Sequence, residues 1–199
     1  MGSIKKVGLM LVTAVATMAL IGVSSAMAET TALCKADESP CKEANQVTEV
    51  SFEANNNISI LSPLEGGYGY ECNAALSATV SQLGETQTLT AQSLTYSSCN
   101  KGCTRTTEML GTFTVLKIGV EKAEIVANEF TVKVSCSGFS NCVYASEGLT
   151  GTLKGDLLTE NGHITYFEAP LKLVSGVFCP KEALFDALFE STEPIYVSS

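Results

Sequence analysis

The chain has 199 residues and carries 21 acidic side chains against 12 basic ones, a net charge of −9 at pH 7, which disfavours nucleic acid and anionic membrane surfaces as partners. It has one histidine, one arginine and no tryptophan, so most equipment for acid–base catalysis, phosphate binding and sugar stacking is missing.

The N-terminus reads as an export signal. Lys5 and Lys6 form a positive start, 7–23 is a near-continuous apolar run, and Ala26-Met27-Ala28 fits signal peptidase. Cleavage is expected after Ala28, making 1–28 the signal peptide. The signal holds two lysines and no acid, so the remaining 171 residues carry 10 basic and 21 acidic side chains, a net charge of −11. That length fits one domain with a substantial core. No second apolar stretch is long enough for a membrane-spanning helix, so no membrane span is expected in the mature chain.

Residues 29–46 are polar and charged, and read as an N-terminal arm with Cys34 and Cys41 close together. From 47 to 199 a single β domain is expected. Apolar residues alternate with polar ones: Leu76, Ala78 and Val80 share one strand face, as do Phe130, Val132 and Val134. Further strands are predicted at 47–52, 58–61, 88–96, 111–118, 142–145, 149–157, 163–167 and 171–177. Turn signals recur every 8–12 residues or so, the pattern of an antiparallel β-sandwich or barrel-like sandwich.

Two local signals complete the pass. Asn161-Gly162 suits a type I′ hairpin turn, which would pair Leu157 with Tyr166, Thr159 with Ile164 and Glu160 with His163. Pro180 suits a first helical position, and Leu184/Leu188 and Phe185/Phe189 are each spaced by four, so 180–190 reads either as one short helix or as an extended segment. Pro194 ends it, and Ile195-Tyr196-Val197 reads as a closing strand.

All eight cysteines follow the signal: Cys34, Cys41, Cys72, Cys99, Cys103, Cys136, Cys142 and Cys179. An even count in an exported chain predicts four disulfides, whereas zinc would favour tight C-x2-C pairs and more histidine. The expected pairs are Cys34–Cys41 in the isolated arm, Cys72–Cys99 across a hairpin-like stretch and Cys142–Cys179 tying a strand to the C-terminal segment, leaving Cys103–Cys136.

No catalytic, cofactor or metal site is predicted. His163 lacks a nucleophile in a G-x-S-x-G elbow, and oxidised cysteines supply no thiolate. Carboxylates such as Glu85, Glu108, Glu121 and Glu124 fall at turns or on strand faces; a hydrolase could use only a pair that folding brings together. Arg105 is the lone arginine. No D-x-[DN]-x-[DN]-G calcium loop occurs, although Asn55, Asn56 and Asn57 offer oxygens. Gly66 to Gly69 is a turn without the Lys and Ser/Thr of a phosphate-cradling loop. Tyr68 and Tyr70 suit either a recognition surface or packing on a sheet.

The second half resembles a family of uncharacterised secreted β-proteins present in many copies in soil actinobacteria. The resemblance rests on Leu94-Thr95-Tyr96-Ser97-Ser98-Cys99, Cys142-Val143-Tyr144, the strand at 129–134, Cys179-Pro180, Phe185-Asp186-Ala187 and Pro194-Ile195-Tyr196-Val197. It covers about residues 50–199 and implies an exported, disulfide-stapled β domain with no assigned catalytic residue. Cys34, Cys41, Cys103, Cys136 and Phe185 depart from that pattern, which leaves the pairing of the extra cysteines open. The expected function is a secreted or envelope-associated, non-enzymatic domain that binds an extracellular or cell-surface partner or plays a structural part. The alternatives are a small carboxylate-dependent hydrolase and a secreted inhibitor presenting 100–104 or 137–141.

Overall fold

The alternating segments form long antiparallel strands. The structure is a computed structural model that describes residues 30–64, 69–81, 83–137, 141–155 and 161–198. In chain order the strands are β1 (Ala32–Cys34), β2 (Glu49–Pro63), β3 (Tyr70–Val80), β4 (Gln87–Ser97), β5 (Cys103–Leu110), β6 (Thr112–Gly119), β7 (Lys122–Cys136), β8 (Cys142–Gly155), β9 (Asn161–Ser175), β10 (Glu182–Pro194) and β11 (Tyr196–Ser198). A one-turn 3-10 helix, Glu43–Asn45, is the only helix among the described residues.

Strands β2 to β10 close into a barrel. β2 pairs with β3 and β10, β3 with β4, β7 with β8, β8 with β9, and β9 with β10. β5 and β6 act as one interrupted strand, because both pair with β7: Cys103 opposes Cys136, Leu110 opposes Phe130 and Gly119 opposes Lys122. The architecture is therefore an up-and-down barrel of eight wall positions, closed by the β7–β8 ladder. Closure joins β7 to β8 from Lys122 opposite Lys154 to Val134 opposite Cys142, which removes the sheet edges there.

An eight-position barrel is just wide enough for side chains to fill. Phe52, Leu76, Phe113, Phe130, Leu149, Tyr166, Phe185 and Phe189 meet inside it, with ring centroids 5.4 Å apart for Phe130–Phe185 and 5.9 Å for Tyr166–Phe185. They leave a void of only about 10 Å³, too small for a ligand. One end is sealed by the N-terminal segment. β1 pairs with β11 (Ala32 opposite Ser198), Leu33 is wholly buried, and its N–H donates to Gln87 Oε1 at 2.8 Å. Thr31 Oγ1 donates to the Glu85 carbonyl and accepts from the Lys117 N–H. The arm is thus built into the barrel's first end.

The eight cysteines are bonded as Cys34–Cys41, Cys72–Cys99, Cys103–Cys136 and Cys142–Cys179, the four pairs the sequence suggested. The last three sit at the second end, where β3 begins and β4 ends, β5 begins and β7 ends, and β8 begins after β7. Each bridges neighbouring segments of the wall, so the strands are fixed by covalent bonds at one rim and by the β1–β11 ribbon at the other.

The structure decides one open reading and departs from the sequence reading at two further places. No helix forms at 180–190: Ala183, Phe185, Ala187, Phe189 and Ser191 are buried while their neighbours face outward, so β10 has period two. A spacing of four satisfies both periods, and pairing with β2 and β9 decides between them. The Asn161-Gly162 turn does not form either. Both residues lie in β9, with Gly162 opposite Gly155, His163 opposite Lys154 and Ile164 opposite Leu153. Asn161 Nδ2 donates to Glu190 Oε1 at 3.0 Å, and a Cβ on Gly162 would lie 3.1 Å from Ile195 Cβ; this glycine serves close packing under the ribbon. The expected partners Leu157, Thr159 and Glu160 lie outside the described residues. Third, β5 was not anticipated, because its inward positions include Arg105 and Thr107 rather than a run of apolar residues.

Candidate functional site

Strand alternation breaks at one level of the wall. In β7 the inward residues are Ala123, Ile125 and Ala127, and then Phe130, Val132 and Val134. In β9 they are Ile164 and Tyr166, and then Ala169 and Leu171. In β8, Glu147 and Gly148 are exposed in succession before Leu149 is buried. β5 carries a bulge between Thr107 and Met109. In β5, β7, β8 and β9 the residue released outward is a glutamate, Glu108, Glu129, Glu147 and Glu168, whereas the matching break in β4 releases Gln92. Glu129 and Glu168 hold positive φ, 61° and 48°. A bulge inserts one residue, bends its strand and re-aims side chains, and one near each break lets the wall bend coherently. Gly111 makes the bend fit, since a Cβ there would overlap the Asn128 carbonyl oxygen.

The bend interrupts the ladder between β8 and β9. Their ladder joins 143–145 to 172–175 and 152–155 to 162–165, and no bridge links 146–151 to 166–171. Pro170 has no N–H to give a ladder. A Cβ on Gly151 would sit 2.8 Å from the Tyr166 ring, so that ring packs directly on the β8 backbone.

On the outer face at this level lies a groove of about 590 Å³. Its floor is small and apolar, with Ala145, Gly148, Pro170 and Leu171; Met109 and Val174 stand at its sides, 52% and 64% exposed. Glu129, Glu147 and Glu182 line it together with one cation, Lys172. Register explains the grouping: Met109, Thr131, Ala145, Lys172 and Glu182 form one row across five strands, each opposite the next. The neighbouring row brings Glu129 and Glu147 to the same level, between the pairs Asn128–Gly148 and Phe130–Ser146.

The residues singled out from sequence do not gather there. His163 is half-buried on β9 between Lys154 and Glu190, away from the groove. Arg105 points into the barrel and is 3% exposed. Its Nη1 donates to the Ser59 carbonyl at 3.2 Å and hydroxyl at 3.0 Å, its Nη2 donates to the Tyr70 carbonyl, and the guanidinium lies 5.0 Å from the Tyr96 ring centroid. Burial lowers the Arg105 pKa and pushes the Tyr96 hydroxyl up to about 12. This arginine joins β5 to β2 and β3 and presents no phosphate contact.

Tyr70 is half-buried, with Lys101 Nζ 5.6 Å from its ring, whereas Tyr68 lies outside the described residues. Asn55 donates to Glu53 within β2 at 3.1 Å. Of the two suggested inhibitory loops, 100–104 is described, and 138–140 is not. Glu38 lies with Cys34 and Cys41 inside a sphere of metal-site size, but both sulfurs are committed to their disulfide. Lys42 and Asn45 engage the Glu38 carboxylate and hold its pKa at about 2.

The groove residues were missed because no motif marks them. The signal was nonetheless present: Ile125-x-Ala127-x-x-Phe130-x-Val132 shifts the alternation by one residue at Asn128-Glu129. Compared with known proteins, the chain matches no family model, no curated protein and no solved structure. Among the described residues no helix is long and apolar enough to cross a membrane.

Proposed function

We propose that the protein is an exported, extracytoplasmic β-barrel domain that works by binding or as a structural element, without catalysis. The observation that carries this reading is the set of four disulfides using every cysteine, because such bonds persist in oxidising compartments. The apolar run at 7–23 behind Lys5 and Lys6, followed by Ala26-Met27-Ala28, supports the export reading. Among the described residues the side chains that fill the barrel leave only about 10 Å³ between them, which places recognition on the outer wall and the rims.

Producing the full chain in a secreting bacterial host tests this directly. Intact-mass analysis is expected to find residues 29–199 outside the cytoplasm with four disulfides. Recovery of the uncleaved, fully reduced chain from the cytoplasm would refute it. Glu129 and Glu147 at one level of a groove favour a second reading, the carboxylate hydrolase. An activity of the purified protein that is lost in both Glu129→Gln and Glu147→Gln would establish that reading instead. His163→Ala is expected to leave any activity intact, because His163 lies on β9 away from the groove.

A further inference from the structure

We propose that the groove over the interrupted β8–β9 ladder receives an extended basic segment of a partner protein, its apolar side chains on the floor and its lysines or arginines against the glutamates. The proposal rests on the binding reading above and names its partner class.

Shape comes first. The row Met109–Thr131–Ala145–Lys172–Glu182 that lines the groove crosses five strands, four inter-strand spacings or about 19 Å, which fits an extended segment of about six residues. The groove volume of about 590 Å³ suits one strip of side chains rather than a folded domain.

Charge then selects the occupant. Glu129, Glu147 and Glu182 face a single Lys172, on a chain whose net charge is already −9. An acidic segment would be repelled at long and short range, and a basic one drawn in. Met109 and Val174, large and exposed at the sides, supply the apolar contact that a charged rim alone lacks.

The test uses the oxidised protein, residues 29–199, and a fluorescein-labelled Lys-Val-Lys-Val-Lys-Val peptide, read by fluorescence anisotropy. Saturable binding is expected that weakens when salt is raised to roughly 0.3 M, with no binding of the Glu-Val-Glu-Val-Glu-Val counterpart. Glu147→Lys should weaken binding by about tenfold or more by reversing one contact, and Ala145→Arg should do the same by filling the floor. Glu43→Lys, an equal charge change on the 3-10 turn, should leave affinity unchanged. Glu147 is exposed, so Glu147→Lys decides the matter even where Ala145→Arg disturbs folding. Equal affinity in Glu147→Lys, equal binding of the acidic peptide, or no binding of the basic one would each overturn the groove assignment while leaving the exported-domain reading intact. Saturable binding accompanied by cleavage of the peptide would overturn the non-catalytic reading while leaving the groove assignment intact.

Discussion

Removing the three rim disulfides should cost nearly all of the barrel's stability. Cys72–Cys99, Cys103–Cys136 and Cys142–Cys179 have sequence separations of 27, 33 and 37, and because the wall is a sequential meander, the loops follow one another without nesting. Non-nested loops restrict independent parts of the unfolded chain, so their entropic contributions add. Chain-entropy arithmetic gives about 3.6, 3.8 and 3.9 kcal/mol, about 11 kcal/mol in all, within the range of a whole domain's stability. The short Cys34–Cys41 loop, with a separation of 7, contributes about 2.5 kcal/mol on the same scale. Guanidinium unfolding of residues 29–199, with each pair changed to alanine singly and in combination, measures these terms. The expected outcome is a similar loss for each rim pair and additivity within about 0.5 kcal/mol. A double-pair variant losing no more than a single-pair one would refute the independence of the loops.

Three further outcomes follow from single sites. Gly111→Ala places a methyl against the Asn128 carbonyl and should destabilise the barrel by about 2–3 kcal/mol, read as a lowered denaturation midpoint at unchanged slope; a neutral result would mean that the bend is not fixed there. Arg105→Ala strips the Ser59 and Tyr70 carbonyls of their donor and should cost about 3 kcal/mol, with Arg105→Lys restoring only part of it because a single ammonium cannot span both strands. The Glu38 carboxylate, bound by Lys42 and Asn45, has its pKa lowered from 4.5 to about 2, so the folded state binds that proton more weakly than the unfolded one. Its contribution is fully present above about pH 4.5 and is lost as pH falls towards 2. A carbon-detected NMR titration should place its midpoint near the lower value, and a midpoint near 4.5 would show that the Lys42 contact is not formed in solution.

Period-two alternation made most wall strands legible, since each buries one face and wets the other, as Leu76 and Ala78 against Ser77 and Thr79 show in β3. Where inward positions are polar, as at Arg105, the same rule hides a strand. It also fails at β10, where Leu184, Phe185, Leu188 and Phe189 fit two periods at once and only β2 and β9, far away in sequence, choose. Asn161-Gly162 misleads for a related reason: the dipeptide permits a tight turn, but Ile195 packing over Gly162 needs the missing side chain more than a turn needs the positive φ. The groove was hidden for a third reason. Glu129, Glu147 and Glu182 are separated by 18 and 35 residues, and register alone places them together.

The bonded cysteines are neighbours in sequence, first with second, third with fourth, fifth with sixth and seventh with eighth. A chain threaded through a membrane N-terminus first would present these thiols in that same order. An oxidase joining each still-free thiol to the next one to emerge would leave every bond native, and no isomerase would be needed to reshuffle them.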